Sequence, residues 1–165
     1  MSKTPNKQNI DKTKEMIDEL FKTREWNKYV IYDGSGRTVF LINGFAVKIP
    51  EESEEDWYAG NVQNLKEVEI YFSSKHKSLV PIYATHRGCL ICKEVIGDYL
   101  YLEEVTGIKK REEIEAMIDK ELEDMKELIE EFDLDERELK ALRNWGYDLD
   151  DKRFKCLDYG VTSRF

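Results

Sequence analysis

Apolar residues follow two different periods along this chain, and the changes between them mark out its elements. From Ile10 to Phe21 the apolar positions Met16, Ile17, Leu20 and Phe21 form the i, i+3, i+4 stripe of a short amphipathic helix. Tyr29 to Tyr32 is β-branched and aromatic and reads as a strand, followed by an Asp33-Gly34-Ser35-Gly36 turn. Thr38 to Ile42 reads as a second strand. Asn43-Gly44 is a strong hairpin signal, and Phe45 to Ile49 is a third strand ended by Pro50.

The acidic stretch 51–61 reads as a loop, and Val62 to Ser73 as a helix with an imperfect apolar stripe. Leu79 to Thr85 and Cys89 to Glu94 form a strand pair around His86-Arg87-Gly88. Arg111 to Phe132 predicts the longest helix, with Ile114, Met117, Ile118, Leu122, Met125, Ile129 and Phe132 on one face. Arg153 to Leu157 reads as a last short strand. The expected class is α+β, preceded by a disordered tail over residues 1–9 and an N-terminal helical region over 10–26.

Composition narrows the picture. With 165 residues, 41% hydrophobic and 12% aromatic, the chain is large enough to bury a core as one domain or a small two-lobed one. No apolar run is long enough to span a bilayer, and the N-terminus lacks the apolar stretch of a secretory signal. Three cysteines, an odd number, suit a reducing compartment, so a cytoplasmic protein is expected. Cys89 and Cys92 read as C-x-x-C, but residues three apart on a strand point to opposite faces, which argues against a shared metal.

The net charge of −9 argues against direct binding of nucleic acid and for a protein partner with a basic surface. The acid is concentrated. Arg111 to Phe132 holds ten acidic and three basic side chains, and Glu51 to Asp56 forms a second cluster. A solvated helix face and loop is the commoner reason for such a run, and a docking surface for a basic partner is the alternative. If the run is a working surface, Glu115, Asp119 and Glu123 lie on it.

Two short motifs carry chemistry. Phe45-Ala46-Val47-Lys48 is a strand ending in Ala-x-Lys, and Leu157-Asp158-Tyr159-Gly160 is a strand ending in Asp-aromatic-Gly. Together they resemble the phosphate-pairing lysine strand and the magnesium-binding D-F-G element of protein kinases. The resemblance covers about residues 27–165. Its brevity and its Asn-Trp-Gly…Leu-Asp-Tyr-Gly-Val-Thr ending are closest to small kinase-like proteins of bacteria and their phages.

The resemblance implies a kinase-like small lobe over 27–97, with a five-stranded antiparallel sheet and one helix, followed by a reduced helical large lobe over 98–165. Gly34, Ser35 and Gly36 would cover the phosphates of ATP, where glycine lets backbone N–H groups approach. Val39 stands in place of the family's third glycine. Lys48 would pair the α- and β-phosphates, aimed by Glu67 nineteen residues later, with Glu69 as the competing candidate. Cys92 and Glu94 would lie at the hinge that receives adenine.

Asn144 and Asp158 would hold Mg2+. Glu138 would stand in for the catalytic aspartate, on a loop one residue longer than the family's; without that insertion the position falls on Leu139. A chain ending five residues after the Asp-Tyr-Gly is expected to lack the segment that grips a protein substrate.

Three functional expectations follow. The first is a pseudokinase-like protein with a degenerate ATP/Mg2+ site that acts by binding a partner protein, in the setting of a phage-encoded inhibitor of a host or defence protein. The second is an active small kinase acting on a protein or small-molecule hydroxyl. The third is an acidic interaction module with no nucleotide site, which follows if Val39 or Arg37 closes the glycine turn. Oligomeric state is left open.

Overall fold

The computed structural model describes residues 5–33, 37–51 and 54–160. Its α+β architecture agrees with the class expected from the sequence. The chain divides into two compact units: a sheet unit of residues 5–65 and 81–94, and a mainly helical unit of residues 66–80 and 95–160.

The sheet unit opens with α1 (Lys7–Thr23), three residues earlier than the apolar stripe predicts, because the Asn6 side chain caps the Asn9 N–H at 2.8 Å. An antiparallel sheet follows, made of β1 (Val30–Asp33), β2 (Arg37–Ile42), β3 (Phe45–Pro50), β4 (Ile82–His86) and β5 (Cys89–Lys93), in the order β1-β2-β3-β5-β4. Asn43 and Gly44 both have positive φ, +52° and +80°, the conformation that a two-residue turn between twisted strands demands. Arg87 and Gly88 repeat this between β4 and β5.

Register assigns the side chains to faces. Phe40, Ile42, Phe45, Val47, Ile49, Cys89 and Ile91 share one face and bury Ile17 and Leu20 of α1 in a single core. An irregularity in β4 between Ile82 and Ala84 lets Tyr83 and Ala84 both pack against that core.

The acidic stretch does not remain a loop throughout. Helix α2 runs from Glu54 to Ser74, and the division between the units falls within it. Acidic residues are favourable in the first turn of a helix, where the N–H ends point, so Glu54 to Asp56 are compatible with helix as well as with coil.

The helical unit contains α3 (Tyr99–Thr106), α4 (Arg111–Asp124), α5 (Lys126–Phe132) and α6 (Glu136–Lys140), then a hairpin of β6 (Trp145–Asp148) and β7 (Arg153–Cys156). The predicted long helix is broken at Met125, whose N–H is shared between the Glu121 and Leu122 carbonyls. Ile114, Ile118 and Met125 are buried as the stripe predicts, but so are Leu128, which the stripe leaves out, and Glu121. Arg153 grips the Glu121 carboxylate at 2.6–3.0 Å, and the Ser78 hydroxyl donates to it at 2.9 Å. These partners allow a glutamate on a core-facing stripe.

The hairpin is fixed within its unit by two sets of backbone bonds. Tyr147 and Ile96 exchange N–H···O bonds of 2.8 and 2.9 Å, and Cys156 and Val80 bond to Ser78 and Cys156 carbonyls at 2.7 and 3.0 Å. Gly146 is needed for the first of these: a Cβ there would overlap the Val95 side chain and lie 3.4 Å from the Ile96 carbonyl. No helix among the described residues is long and apolar enough to cross a membrane.

Candidate functional site

Lys48 lies on the sheet face opposite α1. Pairing of Val39 with Lys48, Lys48 with Leu90, and Ala46 with Cys92 places all five on that face, because directly opposed residues in an antiparallel pair project to the same side. Arg37 and Leu41 join them by the two-residue period of β2. Lys48, Leu90 and Cys92 are buried. The face thus combines a lysine with small and aliphatic side chains.

Cys89 and Cys92 project to opposite faces, as their spacing requires. Burial among the apolar residues packed on α1 pushes the Cys89 thiol up to about 12. Glu94 is an exposed residue just beyond β5, and the Lys93 N–H at the end of that strand is committed to the Pro81 carbonyl at 3.1 Å. Gly34, Ser35 and Gly36 lie outside the described residues.

A polar hub that the sequence did not single out sits on the same face. The Asn64 side chain, on α2, accepts from Arg37 Nη1 at 3.0 Å and donates to the carbonyls of Gly88 at 2.8 Å and Lys48 at 3.3 Å. Arg37 and Asn64 are both nearly inaccessible to solvent. Their 27-residue separation leaves no local pattern in the chain by which to find them.

In the helical unit, Glu67 is fully buried, whereas Glu69 is exposed and pairs with Lys66 at 3.7 Å. The two candidates therefore lie on different sides of α2, as expected. Glu138 sits in α6, a helix capped by the Asp135 carboxylate, rather than on an open loop. Its carboxylate is engaged by Arg143 at 2.9 Å.

Asn144 and Asp158 are brought to the same end of the β6–β7 hairpin. Trp145 pairs with Cys156, so Asn144 enters the hairpin where Leu157 and Asp158 leave it. The Asn144 Nδ2 donates to the Glu138 carbonyl at 2.6 Å, which leaves Oδ1 as the ligating end of the amide. One amide oxygen and one carboxylate fit a magnesium ion, which keeps several waters and takes substrate phosphate oxygens as further ligands. Among the described residues, no three His, Cys, Asp or Glu side chains gather into a group that could hold a metal by themselves.

No protein-family model matches the chain, and none of the curated proteins matches it.

Proposed function

We propose that the chain is a minimal kinase-like protein with a degenerate ATP/Mg2+ site, acting mainly by binding a partner protein with a basic surface. The observation that carries the nucleotide part is the shared sheet face of Val39, Ala46, Lys48, Leu90 and Cys92. It offers a cation for phosphate beside small and apolar side chains for a flat base. On this reading Asn144 and Asp158 of the helical unit supply the magnesium ligands, and Lys48 is the phosphate cation of the sheet unit.

Weak catalysis is part of the proposal. Glu138 is engaged by Arg143, and Val39 stands where the resemblance asks for a glycine. A general base needs an accessible carboxylate within reach of the substrate hydroxyl. The partner-binding role draws on the exposed acidic side chains Glu115, Asp119 and Glu123 of α4. Inhibition of a host or defence protein is the setting that the phage resemblance supplies.

The second reading, an active small kinase, is favoured by the joint placement of Asn144 and Asp158. Calorimetry with ATP and Mg2+ on the native chain and on Lys48→Ala tests the nucleotide site. Binding that is lost in the variant supports it, and no binding up to millimolar ATP removes it. Label transfer from radioactive ATP then separates the two readings, since only an active kinase moves the phosphate.

A further inference from the structure

We infer that the outward side of α3 is a docking surface for a basic amphipathic segment of a partner protein. The segment would lay apolar side chains on Leu100, Tyr101 and Val105 and set lysine or arginine beside Asp98, Glu103 and Glu104. The inference rests on the partner-binding reading above and extends it to a helix which that reading does not use.

The sequence of α3 places apolar residues on both of its sides. Leu102 is fully buried. A helix advances about 100° per residue, so Leu100, Tyr101, Glu104 and Val105 fall on the side away from Leu102. Leu100 is 80% exposed, Tyr101 49% and Val105 43%, and these are three of the six large apolar side chains left exposed among the described residues. A lone exposed leucine is ordinary. Three such residues on one side of an eight-residue helix, edged by carboxylates, form the kind of patch that proteins use for contact.

The surface is fixed before any partner arrives. The Asp98 carboxylate accepts from the Leu100 N–H at 2.9 Å, and the Gly107 N–H closes the other end on the Glu103 carbonyl at 2.9 Å. The Tyr99 hydroxyl donates to the Leu142 carbonyl at 2.7 Å. Asp98, Leu100, Tyr101, Glu103 and Glu104 line an open groove of about 620 Å³. A helix held in this way loses little freedom on binding.

Charge selects the occupant. Residues 98–106 carry three acidic side chains and no basic one, and all three acids are exposed. Lys109, Lys110 and Arg111 follow the Gly107 cap but do not line the groove. A second copy of this chain, itself of net charge −9, would bring the same carboxylates together in a symmetric contact. A basic amphipathic helix meets both features, covering the apolar residues with one side and answering the carboxylates with its flanking cations.

Fluorescence anisotropy with two labelled synthetic peptides tests the inference: a leucine–lysine peptide with leucine at helical spacing, and a lysine–serine peptide of the same length and charge. The native chain is compared with Tyr101→Ser/Val105→Ser, with Glu103→Lys/Glu104→Lys and with the α4 reversal Glu115→Lys/Asp119→Lys/Glu123→Lys, and thermal melts confirm that each folds. The leucine–lysine peptide is expected to bind the native chain about tenfold or more tightly than the lysine–serine peptide, and to weaken about tenfold or more in either α3 variant. If the Tyr101/Val105 double variant does not fold, Val105→Ala decides: weakened binding supports the surface, and unchanged binding overturns it. Peptide binding that is lost in the α4 reversal but not in the α3 variants rejects this inference and leaves the partner-binding reading standing. Binding of neither peptide to the native chain rejects both. A native dimer in sedimentation that Tyr101→Ser/Val105→Ser dissolves assigns the surface to a second copy and overturns the proposal.

Discussion

Leu157 donates its backbone N–H to the carbonyl of Asn144 at 2.7 Å, closing the open end of the β6–β7 hairpin immediately before Asp158. The two side chains proposed above as magnesium ligands, Asn144 and Asp158, fourteen residues apart in sequence, are thereby brought to the same end of the hairpin.

Under the nucleotide reading, Asp158→Asn should remove the magnesium-dependent part of ATP affinity, a loss on the order of tenfold or more, while binding without magnesium is unchanged. Titrations with and without the ion measure this directly. Asn144→Ala carries a structural cost as well, because the Glu138 carbonyl loses its 2.6 Å donor; about 1–3 kcal/mol of stability is expected to go with it.

Gly146→Ala should destabilise the fold by about 1–3 kcal/mol, the usual cost of overpacking a close contact. The added Cβ meets the Val95 side chain, with Val95 Cβ itself at 3.2 Å. Val95→Ala in the same chain should recover part of the loss. Urea denaturation of the two single variants and the double variant checks the coupling, and additive losses would argue against this contact as the cause.

Glu121→Ala should cost stability at or below the lower end of the about 3–5 kcal/mol typical of a broken buried ion pair, because Arg153 retains 25% exposure and some hydration. Ser78 also loses its acceptor. Glu121→Gln keeps an acceptor for Ser78 and should lose less. A chemical melt that ranks Gln below Ala would contradict the assignment.

Cys89 makes a pH prediction. Its thiol is raised from an ordinary 9.0 to about 12 by burial, so the native state holds its proton where the unfolded chain releases it. Stability from this group is fully present below pH 9 and falls between pH 9 and about 12, by about 1.4 kcal/mol per unit. Cys89→Ala should flatten that part of the stability curve. At neutral pH the native thiol should resist alkylation until the chain is unfolded.

The β2–β3 hairpin was legible because Asn43-Gly44 has a local conformational meaning. The stripe of α1 was legible because its apolar positions face a single core. Strand β6 was missed for the opposite reason: Trp145 to Asp148 are all buried, which erases the alternation by which a half-exposed strand is recognised. Glu121 read as part of an exposed acidic run because its partner, Arg153, lies 32 residues away. Arg37 and Asn64 acquire meaning only through the register of β2 and the placement of α2. The short motifs showed in the sequence, but contacts set by register and helix placement, such as that of Arg37 with Asn64, did not.

All three cysteines, Cys89, Cys92 and Cys156, are buried and unbridged. The native chain therefore offers a dark background for fluorescent labelling. A single cysteine introduced at Leu100, which is 80% exposed on α3, would be the preferred site for a maleimide dye, with no native residue needing removal. A chain tagged in that way could report its own encounter with a candidate partner by a change in dye anisotropy, before any enzymatic assay is devised.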